Sequence, residues 1–505
     1  MKKLCVLLLS LFALLPLHAQ ETLSLSGLWE YALSDSASYA DEVMLPGALP
    51  NSGETMSFRH SVYVPGSWRH QRVFLYLERP LFATTVYVNG YKVGNDSILS
   101  TPHRFDVTKA LKLGERNSIV VSGCSEKSVT GITGRMELRT HPEDIHIRRV
   151  EFYTMPSRGQ VFGQAKLEGG YADWSYNPLQ VMMQREGVDT AAITIANYEI
   201  DSRQMTFNMP VGSNVALWDE FNPNLYRIAV SVGQDYYETL IGMRELALDG
   251  ERLMFNSRPL FLRGIVESHA FKDGYPPTEE QSWLDIFRKY KDCGLNLVCF
   301  RGYCPTEAAF SAADKLGLYL FMDIASPELD QISQEYGNHP SFLKIIPPLC
   351  EIAFGADVKD RIEQNLCSSD SEGFILNGFD DQANASELRQ FCSALVPLAH
   401  FAKTEYTSAD TLKVPVDCYN ALYGDIQKAR ASYYIFNDSL QVIAGGQLFE
   451  GGIPIGKNSQ LGAVVVPLNN MTTPQKLTLT IVFSGNKYVN HWDFWVRPPE
   501  EETSK

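Results

Sequence analysis

The side chains best able to do chemistry sit at the ends of four apolar runs in the middle of the chain. Glu267 and His269 follow FLRGIV, Arg301 and Tyr303 close LNLVCFRGYC, Asp323 ends LYLFMD, and Glu351 lies in IIPPLCEIAF. Carboxylates and imidazoles can move protons, while a guanidinium or a phenol can hold a polar ligand. In an α/β domain such groups gather at strand ends, where loops converge on one ligand. Each also admits a plainer reading, as a solvated loop charge or a hydrogen-bonded rim residue. The run from His141 to His146, HPEDIH, brings two imidazoles and two carboxylates together, but it reads as a linker between strands rather than a metal site. There is no Gly-x-Ser-x-Gly elbow, no His-Glu-x-x-His and no glycine loop for phosphate, so neither a metal nor a cofactor is expected.

The elements that must position these residues read strand, helix, strand, helix, strand, helix over 256–340. Thr278 with Gln281 forms a capping-box pattern. Trp283, Ile286, Phe287 and Tyr290 then lay an apolar stripe on one helical face before Gly294 ends it. A strand is expected over 296–303, a helix over 306–316 stopped by Gly317, and a strand over 318–325. Runs 342–349 and 373–381 bring the strand count to about five. On both sides the pattern changes to short alternating strands with frequent turns, which is the pattern of β-sandwiches. Asn89-Gly90, between TTVYV and YKVG, marks a type I′ hairpin. The expected units are 1–19, 20–175, 176–248, 249–399 and 400–505.

Two lysines, an apolar run and a small residue before Gln20 build a secretory signal over 1–19, so the product is expected to be exported, to the periplasm or beyond the cell. No later run reaches the ~20 apolar residues of a membrane span. With 44 basic against 59 acidic residues, the net charge of −15 disfavours nucleic acid as a partner. Eight cysteines lie beyond the leader with no paired spacing, and most read as small buried hydrophobes, with room for one or two disulfides. Oligomeric state is left open.

Several phrases, in order, resemble glycoside hydrolase family 2, which contains β-galactosidases, β-glucuronidases and β-mannosidases. SGLWEYALS, LPGALPNSG, WRHQRVFLYLERPLFATTVYVNGYKVG, STPHRFDVTKALKLGERNSIVV and ITGRMELR resemble its N-terminal jelly-roll, or sugar-binding, domain. LWDEFNPNLYRIAVSV looks like its immunoglobulin-like domain, NSRPLFLRGIVES its first barrel strand, YGNHPSF the phrase before its fourth, and GFILNGFDDQ its last. The resemblance implies a multidomain protein: a galactose-binding-like jelly roll, an Ig-like β-sandwich, a (β/α) TIM-type barrel and a C-terminal β-sandwich. It also implies a retaining glycosidase of carbohydrate metabolism, with a β-linked sugar or glycan as partner.

Such a mechanism needs two carboxyl groups ~5 Å apart. The family takes its acid/base from an Asn-Glu after strand four and its nucleophile from a later strand. Here one glutamate fits, Glu351. It stands one residue late for the acid/base position, and PLCEI equally resembles the nucleophile strand. The resemblance assigns Glu267, His269, Arg301, Tyr303 and Asp323 to the substrate pocket, although the family has arginine where Cys299 stands and commonly histidine where Arg301 stands. Residues 256–399 are little more than half of the ~250 a barrel takes, so a truncated barrel is expected. Two functions remain open: a glycosidase with impaired or lost catalysis, and a non-enzymatic carbohydrate-binding or scaffold protein derived from that family.

Overall fold

The computed structural model describes residues 20–498 except 34–38, 52, 144, 170–178, 188–190, 195–196, 202, 213, 251, 268–270, 272–274, 369–370, 380–383, 470–472 and 486, with 191–201 described by backbone alone. The expected leader and His269 lie outside the described residues. Among those residues no helix is long and apolar enough to cross a membrane.

Alternation of apolar and polar residues builds the first sandwich. Six antiparallel strands, running in space from Asp41–Leu45 through Gly27–Leu33, Met56–Tyr63, Arg116–Gly123 and Thr84–Val88 to Tyr91–Asp96, share a core with four more. Trp29, Phe58, Leu75 and Val86 are fully buried in it. The expected hairpin forms at Asn89 and Gly90, whose φ values of 51° and 84° are the left-handed pair a type I′ turn requires. The change of sandwich, expected at 175, comes instead just after Met136–Pro142. Ile145–Met155 pairs with Gln160–Gly169, which in turn pairs with Gln204–Pro210, so their hydrogen bonds belong to the second sandwich.

The α/β unit holds β1 (Leu262–Val266), α1 (Glu280–Asp292), β2 (Leu297–Arg301), α2 (Glu307–Leu316), β3 (Tyr319–Asp323), α3 (Glu328–Tyr336), β4 (Cys350–Ala353), α4 (Val358–Cys367), β5 (Gly373–Asn377) and α5 (Ala385–Cys392). All five strands are parallel, in the order β3-β2-β1-β5-β4. Central β1 is buried along its whole length, as a strand covered on both faces must be. Helix α1 buries Trp283, Phe287 and Tyr290 as its stripe predicts, but the capping box is not formed: the N-cap is Glu279, with no side-chain cap bond. Helix α2 starts after Thr306 and stops at Gly317, whose φ is 70°.

Residues 342–349, expected as a strand, are not one. Only Phe342 bridges to β3, at Leu320, and the strand forms later, at β4. The segment instead feeds Leu343, Ile346 and Leu349 into an apolar cluster with Leu262, Leu297 and Tyr319. Farther along the same face a smaller cluster joins Val266, Cys299 and Ile375 to Phe321 and Leu349.

The last sandwich sets a three-stranded sheet with Thr411–Asn420 at its centre against a five-stranded one, around a shared core. Leu395–Ala399, expected in the α/β unit, pairs with Thr411–Asn420 and belongs here. The eight described cysteines are unpaired, and Cys293, Cys299, Cys304, Cys392 and Cys418 are buried.

Candidate functional site

The predicted residues that are described divide into two groups, and all but Glu351, the second residue of β4, stand at the C-terminal ends of the parallel strands. Arg301 ends β2, Asp323 ends β3 and Glu351 lies on β4. The Arg301 Nε is 3.3 Å from the Asp323 carboxylate, and its terminal NH2 group donates to Glu351. One guanidinium thus meets two carboxylates, each more than half exposed. Strands β3 and β4 are opposite edges of the sheet, so this meeting requires the sheet to curl until its edges face each other. Arg361 also reaches this edge, donating to the Glu351 carbonyl at 3.3 Å.

The second group is buried. Glu267 continues β1, its backbone N–H bonded to the Cys299 carbonyl at 2.8 Å, and only 4% of its surface is exposed. Its carboxylate accepts from the Tyr290 hydroxyl of α1 at 2.8 Å. Tyr303 presents a buried hydroxyl with no hydrogen bond among the described residues, and burial together with the nearby Glu267 charge pushes that phenol up. Between the groups, burial first and then Asp323 push the Cys299 thiol up to about 11, which keeps it protonated and unreactive. Tyr290 is the residue that sequence reasoning missed in this role, because a tyrosine on an apolar helical stripe reads as core.

Glu351 lies on β4, at one edge of the sheet. Its strand pairs with the last strand of the unit, Cys350 opposite Phe374 and Glu351 opposite Ile375, and not with β3. The phrase NHPS does not lead to a glutamate. Asn338 exchanges bonds with the second sandwich, donating to the Val150 carbonyl at 2.7 Å and accepting from the Phe152 N–H at 2.9 Å. His339 Nδ1 bonds Asp314 at 2.6 Å, and the Ser341 N–H reaches the same carboxylate at 3.0 Å. FLRG and LWDEF are joined likewise: Arg263, 2% exposed, pairs with Glu220, which also accepts from Asn296 at 2.9 Å. Both phrases hold the second sandwich against the α/β unit.

A domain of unknown function, DUF8488, matches residues 410–498. The chain is 25% identical over 360 residues to a β-galactosidase of Leuconostoc mesenteroides, covering 65% of this chain and 34% of that one. It is 23% identical over 363 residues to a putative β-glucuronidase of Formosa agariphila, covering 65% and 41%. The chain therefore spans well under half the length of these curated relatives. Among solved structures, a β-D-glucuronidase of Dictyoglomus thermophilum superposes with a TM-score of 0.53 at 16% identity, over 69% of this chain and 70% of that one. The β-glucuronidase of Ruminococcus gnavus does so at 0.55 and 16%, over 64% and 66%. The latter has also been solved in complex with D-glucuronic acid.

Proposed function

We propose that the chain is a glycoside hydrolase family 2-like protein, exported and carbohydrate-recognising, whose hydrolase activity is impaired or lost; its likeness to a β-galactosidase and a putative β-glucuronidase supports this. Its α/β unit is, in this reading, a barrel of that family without its middle strands: the order β3-β2-β1-β5-β4 is the cyclic order of a barrel's first three and last two strands. Glu351 then stands in the place of the nucleophile. The carrying observation is the Arg301 clamp. A retaining glycosidase needs two carboxyl groups free to face one sugar. Asp323 and Glu351 are instead exposed and share a guanidinium, while Glu267 is held by Tyr290. Export rests on the lysines and apolar run of the first nineteen residues.

Turnover of aryl β-galactosides and β-glucuronides by the purified chain tests this. The expected rate is no higher than that of Glu351→Gln. Clear turnover that Glu351→Gln abolishes would overturn the proposal and favour a second reading, an active β-galactosidase-like enzyme with Glu351 as one of its pair. That reading draws on the same geometry, since two carboxylates on one guanidinium are within reach of one ligand.

A further inference from the structure

A cavity of about 440 Å³ opens where the first sandwich, the second sandwich and the α/β unit meet, sharing no residue with the Arg301 group. Four arginines line it: Arg104, Arg135 and Arg139 from the first sandwich and Arg148 from the second. Three of them are tied at one side. Arg104 pairs with Glu335 at 2.7 Å, Arg139 with Glu137 at 2.9 Å, and Arg135 with Glu78 at 3.1 Å and with Glu307. Arg148 meets a carboxylate, Glu168, only at 3.8 Å. The Tyr76 ring, 2% exposed, lies under three of these cations, with the Arg139 guanidinium carbon 3.7 Å from its centroid and those of Arg104 and Arg135 at 5.4 and 5.8 Å.

A second observation is independent of this charge. His146, also lining the cavity, is 1% exposed; among the described residues its Nδ1 has no hydrogen-bond partner, while Nε2 stands 3.5 Å from Glu168. Leaving such a group unsatisfied costs about 1–3 kcal/mol, so a fold that keeps it beside a polar cavity calls for a partner.

We propose that this junction binds an oxyanion (a carboxylate, sulfate ester or phosphate ester) carried on a polar body about the size of one sugar ring. Guanidinium forks match planar and tetrahedral oxyanions, and four of them line this space beside three carboxylates, Glu238, Glu307 and Glu335, that are already paired with arginines. The volume falls within the ~300–1,000 Å³ of small-molecule sites and is too large for a bare ion. Burial, and next the neighbouring Arg104 charge, hold Arg148 below the usual arginine value, a repulsion that a bound anion relieves. Because the lining comes from three units, the ligand also fastens them together. The proposal is independent of whether Glu351 is catalytic.

Calorimetric titration of the full chain with D-glucuronate, galactose 6-sulfate and glucose 6-phosphate tests it, with glucose and inorganic sulfate as the neutral and bare-ion controls. At least one charged sugar is expected to bind about tenfold or more tighter than either control, and which one does so identifies the oxyanion. Arg148→Ala, partly exposed and tolerable to the fold, is expected to weaken that binding about tenfold. Arg148→Lys, which keeps the charge and loses the fork, should fall between. Binding of none of the three, binding of glucose or bare sulfate as tightly as the charged sugars, or unaltered affinity in Arg148→Ala would overturn the proposal. Loss of turnover in Glu351→Gln would bear on the other site alone.

Discussion

His339 sits between the second sandwich and the α/β unit with its Nδ1 on Asp314. Burial works against its imidazolium, but the Asp314 charge and hydrogen bond outweigh it and leave the group above the ordinary histidine value. A raised folded value stabilises the charged form. The contribution is therefore full below about pH 6.5, the unfolded value, and is lost as pH rises through the elevated one. Unfolding free energy measured from about pH 6 to 9 should decline, and His339→Gln should flatten the decline. At this scale the site was partly legible. Glu267, Arg301, Asp323 and Glu351 were singled out because polar groups at the ends of apolar runs stand out. The clamp itself was not, because Arg301 meets Asp323 and Glu351 only if β3 and β4 become facing edges, and no local pattern encodes that. His339 in NHPS was read as the approach to a catalytic glutamate, whereas its partner, Asp314, lies on a helix whose sequence shows only amphipathicity.

Helices and their ends were the most legible elements. The stripe of α1 and the stop at Gly317 both follow from side-chain period and from the one residue that adopts a left-handed φ without cost. An alanine Cβ at Gly317 would lie 2.9 Å from the carbonyl oxygens of Asp219 and Glu220, in addition to the strain of φ 70°. Gly317→Ala should therefore lower stability by about 1–2 kcal/mol or more in urea unfolding. Strand membership was less legible. Ile145–Met155 alternates like the strands before it, and alternation records which face is buried without recording which sheet supplies the partner. Residues 342–349 were read as a strand from their apolar content, which they use instead to fill the sheet's interior through Leu343, Ile346 and Leu349.

In the whole molecule, three sandwiches surround a parallel sheet that, among its described residues, has two edges rather than none. The succession of units was visible from phrases spread along the chain, because those phrases carry the contacts between units, as Arg263 with Glu220 and Asn338 with Val150 show. A closed ring of strands would hold every strand by two neighbours; here β4, four residues long, has hydrogen-bonded strand pairing on one side only, to β5. What draws it toward β3 is the shared packing of Leu349 and Phe321 and the Arg301 clamp. Exposed ion pairs of that kind contribute about 0–1 kcal/mol and weaken with salt. The edge should thus breathe on its own. Backbone amides of Cys350–Ala353 should exchange with deuterium faster than those of β1, faster again by up to about fivefold in Arg301→Ala, and similarly in the wild-type chain at high salt. Unchanged exchange in the variant would show that packing alone keeps the curl. The clamp then works as a latch on a seam, and the carboxylate best placed for chemistry rides on the least anchored strand of the sheet.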